Sequence, residues 1–320
     1  MKFLFTIMLV LLTNLASASE LIPVRWVFDL GPMGNHSWVI RAVDDGTFKK
    51  HGFDVELVGI GPGGYKAGMA LYTGKADVGY HDFSAVVLVN SRQESPGIKA
   101  IFVVDDASQD HVFFRRSSGI KTLADIDGRR VGAAPTAITK PLFSMISDSK
   151  PDYLNLSHSL LVPALVRGEV DAIFGYTTTV NFNLDKVGIT DFDSLPLSAT
   201  LGFPVGRVIS ASNNWLEKYP GADVALRAAI REALDAHIKM ASKSVDHLTN
   251  SLTSTADGKQ TEIDRAEYNI NELILTDSVK QNGISNSDVV EPRLVKYIDT
   301  LNEKLDLPHK HNTSEYIKLK

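Results

Sequence analysis

The sequence predicts an α/β protein of two domains, and three observations carry that expectation. Short β-rich runs alternate with helical stretches over most of the chain, the cadence of a mainly parallel sheet covered on both faces by helices. The segments LYTGKADVGYHD (71–82) and LVRGEVDAIFGYTT (165–178) repeat one unit: an apolar helical end, Gly-x-x-Asp, a short apolar run, a tyrosine and small polar residues. From about Ala222 the pattern turns helical, with too few strands for a domain of its own.

Taken in order, VRWVFDL (24–30) reads as a strand, and residues 36–50 carry helical apolar spacing through Val39, Ala42, Val43 and Phe48. HGFDVELVGI supplies a second strand behind a Gly52 helix stop. A helix follows over 65–73, a strand at ADVGY, a helix over 83–92 and a strand over 98–105. After DDASQD (105–110) the theme restarts, with HVFFRR and RRVGAA as strands, helices over 137–148 and 158–167, DAIFGY as a strand and a helix over 178–187. Strands near 195–199 and 205–212 come next. One long helix is predicted from 222 to 252, its stripe running through Leu226, Ile230, Leu234, Ile238, Val245 and Leu248. Helical material continues over 262–275, 277–282 and 291–306, and the tail shows little pattern. The chain is expected to cross between domains near 105–112 and 199–205, so that residues 19–107 and 202–320 form domain I and residues 108–201 form domain II.

The first residues, MKFLFTIMLVLLTNLASASE, read as an export signal covering 1–18: a charged start, an apolar run too short to span a bilayer and a small-x-small cleavage site at Ala16-Ser17-Ala18. The chain has no cysteine, which excludes disulfides, a lipid-anchor cysteine and thiolate metal sites. These features predict an unlipidated periplasmic protein. Its 33 basic and 38 acidic residues give a net charge of −5; with the basic residues dispersed, nucleic-acid or anionic-membrane binding is not expected.

The repeat has a physical reading. Gly74 and Gly168 end helices, and the following strands end in Tyr80-His81-Asp82 and Tyr176-Thr177-Thr178. Ligands of open parallel sheets bind beyond the carboxyl ends of the strands, so two such edges facing each other make a cleft. GIGPGG (59–64) fits a dinucleotide fingerprint, but it follows the second strand rather than the first. Gly63 and Gly64 are better read as letting backbone N–H groups at a helix start approach a polar ligand group. GAAPTAITKP (132–141) repeats this logic, with Thr136 as the helix cap. His36 and His81 fall just after strands but match no zinc pattern, and no nucleophile-elbow motif is present. Trp38, Tyr80, Tyr176 and Phe203 stand at element ends, as stacking walls for a planar ligand.

The segment FDLGPMGNHSWVIRAVDDGTFKKHGFDVEL resembles the opening of periplasmic binding proteins for nitrate, sulfonates, taurine and thiamine pyrimidine precursors. Asp29, Pro32, His36, Ala42, Gly46, Phe48, Gly52 and Val55 match that pattern. LYTGKADVGY, GIKTLADIDGRRVGAAP, ALVRGEVDAIFGY and ISASNNWLEKYPGADVALRAAIREAL are similar to later family signatures. The resemblance implies a type II periplasmic binding fold, two α/β domains with a hinge and a helical C-terminal extension. It also implies capture of a small solute for the membrane permease of an ABC importer. Carried over by position, His36, the 80–82 tip, the Pro135–Thr136 turn and the Tyr176 tip would face the ligand. Leu30 stands where pyrimidine binders carry a stacking tryptophan, Met33 where they carry asparagine and Trp38 where they carry glycine, so Met33 and Trp38 would line a reshaped pocket. A related branch that makes the pyrimidine enzymatically uses a cysteine-rich iron site, which this chain lacks.

The expectation is a monomeric, non-catalytic receptor, without cofactor or metal, for a planar or heteroaromatic molecule, pyrimidine-like or an aromatic acid. A sulfonate, taurine or nitrate receptor is the alternative, and an exported enzyme on the same frame a further one. The expected ligand-facing set is Asn35, His36, Trp38, Gly63, Gly64, Tyr80, His81, Asp82, Thr136, Ala137, Tyr176, Thr177 and Phe203.

Overall fold

The computed structural model describes residues 20–60, 63–135, 139–197, 206–251 and 258–320; the expected export signal lies outside them. Domain I begins with β1 (Ile22–Phe28), α1 (Ser37–Asp44), α2 (Thr47–Lys50), β2 (Phe53–Ile60), α3 (Gly64–Tyr72), β3 (Val78–Asp82), α4 (Phe83–Ser91) and β4 (Ile98–Val103). Domain II holds β5 (Asp110–Arg115), β6 (Arg130–Ala133), α5 (Thr139–Ile146), β7 (Asp152–Asn155), α6 (His158–Val166), β8 (Ala172–Tyr176), α7 (Thr177–Lys186) and β9 (Phe192–Pro196). The chain then returns through β10 (Arg207–Ser212) and α8 (Asn213–Lys218). The remaining helices are α9 (Ala222–Lys239), α10 (Ala241–Ser251), α11 (Lys259–Tyr268), a π-helical turn (Asn269–Ile274), α12 (Asp277–Asn282) and α13 (Ser287–Lys304).

The two five-stranded sheets have one strand order. The first runs β2-β1-β3-β10-β4 and the second β7-β6-β8-β5-β9. The repeated units therefore occupy equivalent places, β3 in one sheet and β8 in the other. Neither sheet is wholly parallel: β10 is antiparallel to β3 and β4, and β5 to β8 and β9. The reason is the path. A chain arriving from the other domain enters at the carboxyl edge of the sheet, so it must run against the strands that arrive from the far edge. The first residue of each incoming strand thus lands beside the tip of the repeated unit, Arg207 opposite Asp82 and Asp110 opposite Tyr176.

The core of domain I packs Trp26, Trp38, Phe48, Phe53 and Tyr80 under α9, α10 and α11. The helix expected over 222–252 breaks at Met240, whose backbone leaves the helical region. The break turns α10 back against α1, where Val245 and Leu248 join the core. α4 is buried on all sides, as befits a helix apolar all round. One side of it faces α13: Phe83 and Tyr297 pack at 5.8 Å between ring centres. α13 also joins a cluster that reaches into domain II through Val131, Phe143 and Phe174. The tail, patternless in sequence, pairs with the edge strand β4. The Ala100 N–H donates to the Tyr316 carbonyl at 2.9 Å, and the Lys318 N–H donates to the Ala100 carbonyl at 2.8 Å, which covers an otherwise open sheet edge. The two crossings touch at Gly206, where a Cβ would lie 2.3 Å from the Asp105 carbonyl oxygen and 2.4 Å from that of Ala107. Only a residue without a side chain fits there.

Candidate functional site

The strand tips of the two sheets face each other and enclose a buried polar cluster. In domain I its centre is Arg207, fully buried at the start of β10. Arg207 Nε donates to Asp105 Oδ2 at 2.5 Å, and the guanidinium lies 4.4 Å above the Tyr80 ring. With its amide oxygen turned toward Arg207, Asn35 accepts from both terminal nitrogens at 2.6 and 3.0 Å. Asp105 Oδ1 accepts further from the Tyr80 hydroxyl at 3.2 Å and from Asn269 Nδ2 at 3.0 Å. One cation is therefore held by a carboxylate, an amide and an aromatic face, the arrangement a buried charge requires.

The two tips meet directly. The Tyr176 hydroxyl of domain II donates to Asp82 Oδ2 of domain I at 3.2 Å, with both residues buried. The His158 ring, from the start of α6, stacks on Tyr176 with centres 6.3 Å apart. Asp110 Oδ2 accepts from the Ser108 hydroxyl at 3.0 Å. Helix α11 ties both halves from the side. Glu262 accepts from the Gly34 N–H and from Arg265 NH1, each at 2.5 Å, and Arg265 Nε donates to the Thr178 carbonyl at 2.8 Å. The helical extension thus braces domain II as well as domain I.

Several buried polar atoms of this region have no hydrogen-bond partner among the described residues: both oxygens of Asp29, His81 Nε2, Gln109 Nε2, Asp110 Oδ1, Thr139 Oγ1 and His158 Nε2. Asp29 Oδ1 lies 3.4 Å from His36 Nε2, a long polar contact rather than a well-formed hydrogen bond. The Met33 N–H approaches His36 Nδ1 at 3.3 Å, and Arg207 NH1 lies 3.3 Å from Nε2, so that the ring sits between Asp29 and the buried guanidinium. Unsatisfied buried groups are costly, and a cluster of them at facing domain edges is a candidate ligand site.

The protonation states follow from burial. Desolvation pushes the Asp82 carboxyl well above its ordinary range, and the nearby charges of Asp110 and Asp29 add to it. Burial raises Asp110 to about 7 against the pull of Ser108 and Arg207. Burial also pushes the Tyr80 and Tyr176 phenols up and holds His36, His81 and His158 down, as neutral rings. For Asp29, burial acts upward, but His36 and Arg207 outweigh it and hold the carboxyl below its usual value. The cluster is therefore rich in acceptors, and its central guanidinium, Arg207, is already engaged.

Of the expected ligand-facing residues, Asn35, His36, Tyr80, Asp82 and Tyr176 come together in this cluster. His81 adjoins it, its Nδ1 3.0 Å from the Asp82 carbonyl. Gly64 packs on Asp82, leaving 3.4 Å from a would-be Cβ to Oδ2. The Gly63 N–H is already used within the chain, donating to the Asp29 carbonyl at 2.8 Å, and the Thr177 N–H donates to the Gln109 carbonyl at 2.9 Å. Trp38 sits in the domain I core between Trp26 and Tyr80 and reaches the cluster only through Tyr80. Thr136, Ala137 and Phe203 lie outside the described residues. Sequence reasoning left Asp105, Asp110, His158 and Arg207 out of the set. The signal for Arg207 was present: a single arginine inside the apolar strand VGRVIS (205–210).

The family description NMT1/THI5 like matches residues 33–243, more than half of the chain. No curated protein sequence matches it. Among solved structures, the alkanesulfonate-binding protein SsuA of Xanthomonas axonopodis pv. citri, bound to MOPS, superposes with a TM-score of 0.70 at 14% identity, covering 94% of this chain and 100% of that one. The aliphatic sulphonate binding protein SsuA of Escherichia coli gives 0.68 at 14%, covering 92% and 97%. A Candida albicans protein described as having the generic periplasmic binding protein fold gives 0.65 at 13%, covering 93% and 96%. At these identities the likeness shows the fold: two α/β domains in the periplasmic binding protein arrangement.

Proposed function

Because this chain belongs to the NMT1/THI5-like family, we propose that it is an exported solute receptor that binds a small organic molecule between its domains. It would pass that molecule to the permease of an ABC importer, as a monomer and without chemical change. The observation that carries this reading is the set of unpartnered buried polar atoms on both sides of the Tyr176–Asp82 contact. The domains, 19–107 with 202–320 and 108–201, move about the paired crossings at Gly206. A ligand that touches both tips stabilises the closed arrangement by its differential affinity. Export fits the described residues, in which no helix is long and apolar enough to cross a membrane.

The ligand class follows from the charges. Asp29, Asp82 and Asp110 offer acceptors, and the neutral imidazoles offer one donor or acceptor each. Tyr176 and His158 present flat faces. This favours a planar, heteroaromatic molecule carrying N–H donors. The alternative, a sulfonate, is favoured by the likeness to alkanesulfonate-binding proteins and opposed by the Asp29 carboxylate, held ionised in the cluster, and by a guanidinium already engaged by Asp105. A thermal-shift screen over aminopyrimidines, aromatic acids, sulfonates and nitrate tests the reading. A true ligand at about 100 times its Kd adds ~2.7 kcal/mol. Stabilisation by no class, or turnover of a probe that depends on His36, would overturn it.

A further inference from the structure

A crevice of about 670 Å³ opens between the domains beside the buried cluster, and its lining is basic. Lys66 and Arg92 line it from domain I and Lys140 from domain II, with Asp306 as the acidic residue of its wall. The cations are seated on rings: the Arg92 guanidinium lies 4.7 Å over Tyr65, and the Lys140 ammonium 4.3 Å over Tyr153. Among the described residues none of these three cations forms an ion pair with a carboxylate. The helices α3 and α5 both begin at the crevice, with Tyr65 and Lys66 in one first turn and Lys140 in the other. Their positive ends add to the same field. Thr139, next to Lys140, is buried with its hydroxyl unpartnered. The floor is apolar, formed in part by Leu88 and Leu307.

The crevice adjoins the cluster through one glycine. Asp82 packs on Gly64, and Tyr65 is the next residue. From this juxtaposition we infer that the crevice is an anion subsite, which takes a phosphate, sulfonate or carboxylate carried by the solute whose donor-bearing ring meets the acidic cluster. The ligand then has two unlike ends, a donor-bearing ring toward the buried cluster and an anion in the crevice. This inference rests on the receptor reading, and it reconciles an acceptor-rich interior with a basic mouth. Arg92 and Lys140 come from different domains, so the anion also draws the domains together.

The test is calorimetric titration of the full chain with benzenesulfonate, with its uncharged isostere benzenesulfonamide, and with 4-aminopyrimidine. Benzenesulfonate should bind at least about tenfold more tightly than the sulfonamide, through charge-assisted contacts. That preference should shrink in high salt. The double variant Arg92→Gln/Lys140→Gln should abolish it without changing the melting temperature of the ligand-free protein, because both side chains are exposed. Equal binding of the two benzene probes, binding of neither, or a preference that survives the double variant overturns the inference. Binding of 4-aminopyrimidine reports the acidic cluster separately. Its failure beside an intact sulfonate preference removes the planar-donor reading and leaves the anion subsite standing.

Discussion

Replacing Arg207 by methionine removes the cation at the centre of the buried cluster. Asp105 would then keep only the Tyr80 hydroxyl and Asn269 as donors, and Asn35 would lose both of its contacts. Breaking a buried ion pair on one side costs about 3–5 kcal/mol, because the remaining charge is left uncompensated. At roughly 2–4 °C per kcal/mol for a chain of some 200 residues, the melting temperature should fall by about 6–20 °C, toward the smaller value for this longer chain. Adding Asp105→Asn removes the stranded charge while its amide oxygen still accepts from Tyr80 and Asn269. The double variant should therefore recover most of the loss, a coupling of at least about 2 kcal/mol. Urea unfolding followed by tryptophan fluorescence suits the measurement, since Trp38 packs on Tyr80 beneath the guanidinium. A single variant costing under ~1 kcal/mol, or a second substitution that adds to the damage, would refute the account of Arg207 as a paired buried charge.

Tyr176→Phe removes the hydroxyl that joins Tyr176 of one tip to Asp82 of the other. The cost should be about 0.5–1.5 kcal/mol, read as a larger radius of gyration in small-angle scattering with little change in melting. Asp110 titrates near 7 when folded, against an ordinary 3.8. Its raised pKa contributes stability that is complete below pH 4 and lost as pH rises through 7, by up to about 4 kcal/mol. Denaturation free energies measured across pH 4–8 should show this fall, and Asp110→Asn should flatten it. Gly206→Ala should cost at least about 2 kcal/mol, because backbone must part to admit the methyl group; an unchanged unfolding midpoint would contradict the close crossing.

Much of the architecture was legible in the chain. Helix and strand periods placed the β-α units, and the 71–82 and 165–178 repeat pointed to two equivalent strands whose tips now meet. Tyr80, Asp82 and Tyr176 could be named because they end a repeated pattern. Arg207, Asp105 and Asp110 could not, because their importance comes from the antiparallel entry of β10 and β5, a topological fact with no local signature. Local pattern also misjudged the tail: its end pairs with Ala100 through two backbone hydrogen bonds, which are indifferent to side-chain type, and buries Tyr316, Ile317 and Leu319 in the core, too few apolar residues to show a period. Trp38 shows the opposite error, an aromatic at an element end that serves packing.

The entry of a foreign strand into each sheet has a cost in tolerance to insertion. One extra residue slipped into β10 ahead of Val208 would turn the inward guanidinium to the opposite side of the sheet, since side chains alternate along a strand. The same slip in β5 would swing Asp110 away from Tyr176. Length changes should accordingly be accepted in the outer loops of this protein and rejected at these two strand starts.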